Sequence, residues 1–443
     1  MSGAEVSLFS ELHRRSQQDG PIRVAVIGTG FLGAGLVRRI GTIQGMVPVL
    51  AANRTLTRAV EALVAAGIDP SAIDVCHAAS TAETALARGR HVATSSLTLA
   101  AHLPSVDVIM EATGDTLVGA TVALEAIRSG KSIVAANPET QATVGAVLAV
   151  QADAVGVVYS DILGDEPGNL NALYQHCTGI GLEPVVAGNF KGMLNRYATP
   201  STQAAYANAH NLKPWIAAAA ADGTKLNLEM ATVANANGLS PATRGMVGPA
   251  ITDVEGLVTV FAGAGLLEAG PIVDYALGPF SGVFLITRSD DAILQGEFRY
   301  LKMGEGPWYL FHRPKLLIHY EAPLSAAEAV LYRTATVAPR GAPVAEVVAI
   351  AKRGLEAGRQ LDGIGGFDCY GLITTTEDAQ REGLLPIGLA AFASLEREVA
   401  RDEPIGIADV SFRSDNLLLE LRRQQDALFA PALQAPATTA RRE

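Results

Sequence analysis

The chain has 443 residues, 49% hydrophobic and 18% charged, with a formal net charge of -11. That is room for two or three globular domains, and the acidic balance argues against a nucleic-acid-binding surface. Three widely spaced cysteines without a CxxC fit a reducing cytoplasm and no thiolate metal site, and no apolar run is long enough to span a membrane, so a soluble cytoplasmic protein is expected.

Residues 1–20 read as an N-terminal extension without a secretion signal. Residues 22–27, IRVAVI, form a β-branched run that stops at Gly28. The helix-like FLGAGLVRRI follows, then the strand VPVLAA (47–52) and the amphipathic TLTRAVEALVAAG, which closes on the glycine Gly67. VDVIMEAT (106–113) and KSIVAAN (131–137) are strands of buried type with the helix TLVGATVALEAIRSG between them. ETQATVGAVLAVQADA reads as a helix and VGVVYS (155–160) as another strand. Strand and helix alternate over 21–165, which predicts an α/β domain with a doubly wound parallel sheet.

The sequence mixes helix and strand over 166–342, where PVVAGNFKG, GVFLITRS and KLLIHYEAP read as strands around an alanine-rich helix. This predicts an α+β substrate domain. Its apolar character points to a homo-oligomer. A small β-rich module is expected over 343–420, where AKRGLEAGRQLDG and LEREVARDEPIGIADV share a pattern that suggests weak internal duplication. A C-terminal helix and tail, 421–443, complete the chain, with ALQAPATTARRE too poor in bulky apolar residues to order.

Gly28-Thr29-Gly30-Phe31-Leu32-Gly33 is a GxGxxG between a strand and a helix. In this setting the first glycine permits the turn, the second lets a pyrophosphate approach, and the third lets helix and strand pack; the helix N-terminus favours the phosphate charge. The context predicts a Rossmann dinucleotide site, the alternative being a glycine turn needed only for packing. The end of the second strand, Ala51-Ala52-Asn53-Arg54, offers no carboxylate for a ribose 2′-hydroxyl, whereas Arg54 suits a 2′-phosphate. NADP(H) is therefore favoured over NAD. Glu111-Ala112-Thr113-Gly114 and Ala135-Ala136-Asn137-Pro138-Glu139 follow two further strands and are expected to line the nicotinamide end, the alternative being ordinary turn chemistry at Gly114 and Pro138.

No HExxH, GxSxG or Cys/His nucleophile arrangement occurs, and the eight histidines are scattered. Candidate catalytic groups lie in the middle third. Lys191 stands in GNFKG, Arg244 in the Gly/Pro loop GLSPATRGMVGP, and Arg313 and Lys315 in FHRPKLLIHY. Cations in loops suit a phosphate or carboxylate substrate. In ADGTKLNLEMA, Asp222, Lys225 and Glu229 fall on one helical stripe, a pattern that is either a solvated face with minor ion pairs or the edge of a site. Asp165 and Glu166 enter a Gly-rich turn after a strand; with Asp222 they are carboxylates that either hold Mg²⁺ or Mn²⁺ or serve as caps and ion pairs.

The stretches VIGTGFLGAGLVRRI, VVYSDILGDEPGNL, DGTKLNLEMATVANANGL, RYLKMGEGPWYLFHRPKLLIHYEAPL and GLLPIGLAAFASLEREV resemble, in that order, homoserine-dehydrogenase-like oxidoreductases with a C-terminal SAF-type module. Within that group they are most similar to the 1-deoxy-D-xylulose 5-phosphate reductoisomerase-like enzymes. The resemblance implies conversion of 1-deoxy-D-xylulose 5-phosphate to 2-C-methyl-D-erythritol 4-phosphate, a step of isoprenoid biosynthesis, with NADPH and a divalent metal. It implies a small phosphorylated substrate as partner, with neither nucleic acid nor membrane. Asp222 and Lys225 match a substrate-binding acid and a catalytic lysine, spaced three apart here rather than four. Asn137 matches an Asn-Lys dipeptide in which Pro138 replaces the lysine, which argues against plain homoserine oxidation and leaves the lysine's duty to Lys225, Lys191 or Lys315. Arg244, Lys315 and Arg313 are the expected substrate-binding cations. The alternatives are a dehydrogenase acting on another polyol, sugar acid or homoserine-like alcohol, and a sugar-acid-binding or nucleotide-sensing protein built around the SAF-like module.

Overall fold

The β-branched run at the start of the chain becomes strand β1, Ile22–Ile27, in the middle of a seven-stranded sheet in which every pairing is parallel. Its partners are β2 (Met46–Ala52), β3 (Ile73–Val75), β4 (His91–Thr94), β5 (Val108–Glu111), β6 (Ser132–Ala135) and β7 (Tyr159–Ser160), in the order β3-β4-β2-β1-β5-β6-β7. On one side of β1 the chain adds β2, places β3 at the edge and returns β4 between them, then crosses to β5 on the other side. The reversal leaves a crevice between the C-terminal ends of β1 and β5, where open α/β sheets take ligands. This is the Rossmann-like α/β fold expected from the alternation.

The computed structural model describes residues 7–433. They form two compact units, one from residues 7–140, 148–169 and 315–338, the other from 141–147, 170–314 and 339–433. The expected tail lies largely outside the described residues. In the first unit the N-terminal extension is a helix, Leu8–Gln18, that buries Leu12 in the core and ties Arg15 to Asp107 at 3.0 Å.

Three details of the first unit differ from the sequence reading. The short strands β3 and β4 were not expected; three or four residues give too little alternation to recognise. VGVVYS shrinks to the two residues of β7. KLLIHYEAP, expected as a strand of the middle domain, instead opens a helix, Ile318–Leu331, that belongs to the first unit. Its small residues Ala322, Ala326, Ala327 and Ala329 pack into the core that also holds Val24, Leu36, Val37 and Met110. A run of alanines on one helical face allows the close approach that a sheet-covering helix needs, and that signal lies after the apolar run rather than in it.

The second unit holds a mixed sheet of β8 (Glu183–Lys191), β9 (Ser240–Pro241), β10 (Ile272–Leu277), β11 (Val283–Arg288) and β12 (Trp308–Arg313), in the order β12-β11-β8-β10-β9. Because side chains alternate along a strand, one face carries Val186, Phe190, Ile272, Ala276, Phe284 and Ile286, packed with Phe261 of the helix Leu257–Gly263. The other face meets the helix Thr224–Asn237, whose far side is bonded to an antiparallel pair, β13 (Ala345–Ala351) and β14 (Cys369–Thr375). Thr224 Oγ1 accepts from Gly371 N and Asn227 Oδ1 from Ile373 N, both at 2.8 Å.

Downstream, β15 (Ala393–Leu395) and β16 (Val410–Phe412) form a second pair, and the helix Leu417–Leu433 follows. The two segments read as similar halves are bonded to each other: Leu355 and Val399 exchange backbone hydrogen bonds at 2.9 Å, and Asp402 N donates to Ala351 O at 2.9 Å. Among the described residues no helix is long and apolar enough to cross a membrane.

Candidate active site

The turn after β1 is shaped by its glycines. Gly28 has φ +88°, and a Cβ there would meet Ala112 O at 2.8 Å. A Cβ on Gly33 would fall on the Gly28 carbonyl oxygen, so the helix Phe31–Ile40 can approach β1 only with glycine here. Gly30 faces open space and caps that helix with no side-chain bond, and no acidic residue stands in its first turn. The unsatisfied N–H groups of this helix start, with the dipole behind them, form a phosphate cradle. Thr29 beside them is buried, and its Oγ1 has no hydrogen-bond partner among the described residues. Phe31 is exposed and Leu32 half-buried. An orphaned hydroxyl next to an open glycine suits a bound pyrophosphate.

At the end of β2, Asn53 Oδ1 accepts from Thr55 N at 2.9 Å, and Arg54 and Arg58 are exposed. No carboxylate stands in this turn. The end of β5 is occupied by Glu111, a buried acid that opens the stretch expected to line the nicotinamide end. Glu111 Oε1 accepts from Thr113 N at 2.6 Å and from the Thr113 hydroxyl, and Oε2 accepts from Asn137 Nδ2 at 2.9 Å. Burial pushes the Glu111 carboxyl above the usual carboxylate range, against these bonds. Gly114 (φ +64°) turns the chain away.

Asn137, expected to meet the cofactor, is fully buried. Its oxygen caps the helix Pro138–Val155 through Thr140 N at 3.0 Å, and its nitrogen is taken by Glu111 and Asp115 O. Its side chain has nothing left to offer a ligand, so it acts by fixing Glu111. Also in the first unit, Asp165 is nearly buried, Glu166 opens the helix Glu166–Gly179, and Lys315 is exposed.

In the second unit the stripe of ADGTKLNLEMA does not face water. The helix Thr224–Asn237 is enclosed by the sheet and the β13–β14 pair, and Asp222 and Glu229 are both buried. Lys225, partly exposed, forms an ion pair with Glu229 Oε1 one turn on, and Asn189 Nδ2 of β8 donates to Glu229 Oε2 at 3.3 Å. Asn189 is in register with Tyr275 on one side and Val283 on the other, and Val283 with Arg313. Paired residues share a face, so Tyr275, Asn189, Val283 and Arg313 form one row across the sheet, on the side of Lys225, with Lys191 two residues beyond Asn189. Lys191 Nζ donates to Ala220 O at 2.6 Å. Lys225, Lys191 and Arg313 are thus brought to one face.

Asp222 goes elsewhere. Its Oδ1 accepts from Thr224 N at 2.8 Å, and its Oδ2 lies 2.8 Å from Lys352 Nζ, a buried lysine that the sequence reading missed. Lys352 also donates to Ala198 O and Gly366 O at 2.7 Å. Burial raises the Asp222 carboxyl, opposed by the Lys352 charge. The expected Asp222–Lys225 partnership is replaced by two pairs, Asp222–Lys352 and Glu229–Lys225. The glycine at 223, in a left-handed conformation, explains the switch: it ends one helix and starts the next, so the three charges are not on one continuous helix. Arg244 is bound to Glu382 at 2.6 Å, an ion pair outside the row.

The sequence over residues 164–322 matches the family model described as the catalytic domain of the oxidoreductase DRL. No curated protein matches the chain. Among solved structures it is similar to a biliverdin reductase complex with biliverdin and NADP⁺ from Synechocystis sp. PCC 6803 (18% identity, 40% of this chain and 49% of that chain, TM-score 0.28). It is also similar to an NAD-binding oxidoreductase from Klebsiella pneumoniae (19%, 41% and 44%, 0.27), and to a 3-ketoreductase from Actinomadura kijaniata with TDP-benzene and NADP (12%, 70% and 90%, 0.37). The chain spans about half the length of the first two. The family match supports an oxidoreductase.

Proposed function

We propose that the protein is an NADP(H)-dependent oxidoreductase that interconverts a carbonyl and an alcohol on a small polar substrate, with Lys225 as the proton-handling group. The observation that carries this reading is the Lys225–Glu229–Asn189 group, which lies within the stretch that matches an oxidoreductase catalytic domain. When bound, the nicotinamide supplies or accepts the hydride. The Lys225 ammonium polarises the carbonyl oxygen and gives it a proton as the alcohol forms, then regains one from solvent. Glu229 keeps that ammonium charged and aimed. Lys191 and Arg313 supply positive charge on the same face for an acidic group of the substrate. Thr29, Gly30 and the first turn after them hold the pyrophosphate, and Arg54 favours the 2′-phosphate.

Lys225→Met tests this. The expected result is a fall in kcat of about 10²–10⁴ with NADPH affinity unchanged; full turnover in the variant would refute it.

A second reading keeps the same residues and adds a carbon-skeleton rearrangement of 1-deoxy-D-xylulose 5-phosphate before the hydride step. The resemblance of five stretches along the chain favours it. A divalent cation belongs to this reading, and the neighbouring carboxylates Asp165 and Glu166 are the oxygen ligands it would use. Product identification by NMR after NADPH oxidation with that substrate, with and without Mn²⁺, separates the two: an unrearranged skeleton, or no turnover, excludes the second.

A further inference from the structure

A strand at the edge of a sheet carries unpaired backbone groups, and folded chains blunt such edges by shortness, proline or cover. Most edges of this molecule are blunted. In the two larger sheets β3 has three residues and β7 and β9 have two, with Pro241 closing β9. The longer β13–β14 pair is covered. Thr224 and Asn227 bond the outer side of β14, while Ala349 of β13 donates to Leu385 O and accepts from Ile405 N. β12 is different. It is six residues long, stands at the edge of its sheet, and pairs only with β11 among the described residues.

The outward groups of β12 follow from its register. Ser289 N donates to Pro307 O at 2.9 Å, one residue beyond the pair Arg288–Trp308. Bonded residues alternate along an antiparallel pair, so Tyr309, Phe311 and Arg313 are the ones tied to β11. Trp308, Leu310 and His312 then turn their N–H and C=O groups outward, and Pro314, next in that series, has no N–H to add. The free ladder is therefore centred on Leu310. The connection from β11 to β12 carries a helix, Ala292–Tyr300, that buries none of its residues. Phe298 seats it on β12, its ring 4.6 Å from that of Tyr309, while Ile293, Tyr300 and Leu301 are 75%, 86% and 61% exposed. Large apolar side chains grouped beside an unpaired edge mark an interface.

We propose that β12 is the interface with a second copy of this chain, paired antiparallel about a two-fold axis at Leu310, so that the mixed sheets of two protomers run on as one. A ladder centred on one residue is its own complement: Leu310 faces the partner's Leu310, and Trp308 faces the partner's His312. Another protein would have to bring a free strand of matching length, whereas a second copy brings it by symmetry. The ends agree in charge as well. Glu305 stands before the strand and Arg313 closes it, so antiparallel pairing lays an acidic end beside a basic one at both ends of the ladder.

The test uses the full chain. Light scattering on a sizing column is expected to give twice the mass of one chain. Leu310→Cys sets two thiols opposite each other, because bonded residues of an antiparallel pair have Cα atoms about 5.5 Å apart, within disulfide reach. Oxidation should then give a covalent dimer on a non-reducing gel, with little background because Cys76, Cys177 and Cys369 are buried. His312→Cys, which faces the partner's Trp308, should give none. His312→Pro deletes an outward N–H at an exposed edge position, which an edge strand tolerates, and removes one bond from each half of the ladder; the dimer Kd should rise about tenfold to hundredfold with circular dichroism unchanged. Should that variant fail to fold, Tyr300→Glu on the exposed helix is read in its place and should also weaken the dimer. A wild type that stays monomeric as its concentration rises overturns the proposal and leaves the edge to a strand of another protein. A dimer undiminished in these variants, or one that forms no disulfide through Leu310→Cys, overturns it too, since the copies then meet elsewhere. Crosslinking through His312→Cys overturns it by setting a different register.

Discussion

Replacing Lys352 by methionine keeps the length and bulk of a buried side chain and removes its charge. Lys352 spends its ammonium on Asp222 Oδ2 at 2.8 Å and on the carbonyls of Ala198 and Gly366 at 2.7 Å. The variant leaves a carboxylate and two carbonyls in a place where the lysine itself is only 4% exposed. Breaking a buried pair from one side costs about 3–5 kcal/mol, and the two carbonyls push the figure toward the upper end. For a unit of this size that is a fall in melting temperature of roughly 6–20 °C. The loss depends on pH in a fixed sense. Burial already raises the Asp222 carboxyl in the folded protein, and the variant loses the lysine that opposes the rise. Between the unfolded and folded values the native state holds the extra proton, so its stability falls as pH rises. The deficit should be largest near pH 8 and shrink toward pH 5. Asp222→Asn, which removes the stranded charge, should restore at least half of it when combined with Lys352→Met. Melting followed by circular dichroism at both pH values reads all three. A single variant within a degree of wild type at pH 8, a deficit that grows in acid, or no recovery in the double variant would refute the reasoning.

Glu111→Gln presents an NH₂ group to one of three donors now aimed at the carboxylate, at a cost of about 1–3 kcal/mol; weaker NADPH binding, read by nicotinamide fluorescence, is the expected result. Gly33→Ala drives a methyl onto the Gly28 carbonyl, and overpacking of this kind costs about 1–3 kcal/mol; a lower melting temperature together with lost NADPH binding is expected. Arg54→Ala should weaken NADPH by about tenfold relative to NADH, the worth of a charge-assisted bond to one phosphate; equal loss for both cofactors would remove Arg54 from the 2′-phosphate.

The half of the molecule built on the seven-stranded sheet was readable because its signals are local. β1, the glycine turn and the following helix occupy consecutive residues, and the φ +88° at Gly28 is what the spacing of the motif demands. The candidate site in the second unit was readable only in part. Lys225 and Lys191 stood out as charges among apolar residues, but the partners that give them meaning come from other elements. Asn189 reaches Glu229 from another strand, and Lys352 reaches Asp222 from 130 positions downstream, the difference of their numbers. Nothing local marks such pairings. Glu111 was legible only as one residue of a stretch expected at the nicotinamide end: the part played by an acid closing an apolar strand shows only once its three donors are placed around it.

The helix Ile318–Leu331 has a consequence for how the protein comes into being. It covers the seven-stranded sheet, yet the ribosome makes it long after the last strand of that sheet. Until residue 331 has emerged, the core around Val24, Leu36 and Met110 lacks the alanine face that closes it. A chain stopped at residue 165, where the alternation of strand and helix ends, should therefore expose apolar surface and aggregate rather than bind a nucleotide. During synthesis the first unit is held open while the second is being made, so the two must mature on one schedule, and a chaperone that shields an unfinished sheet would find its client here.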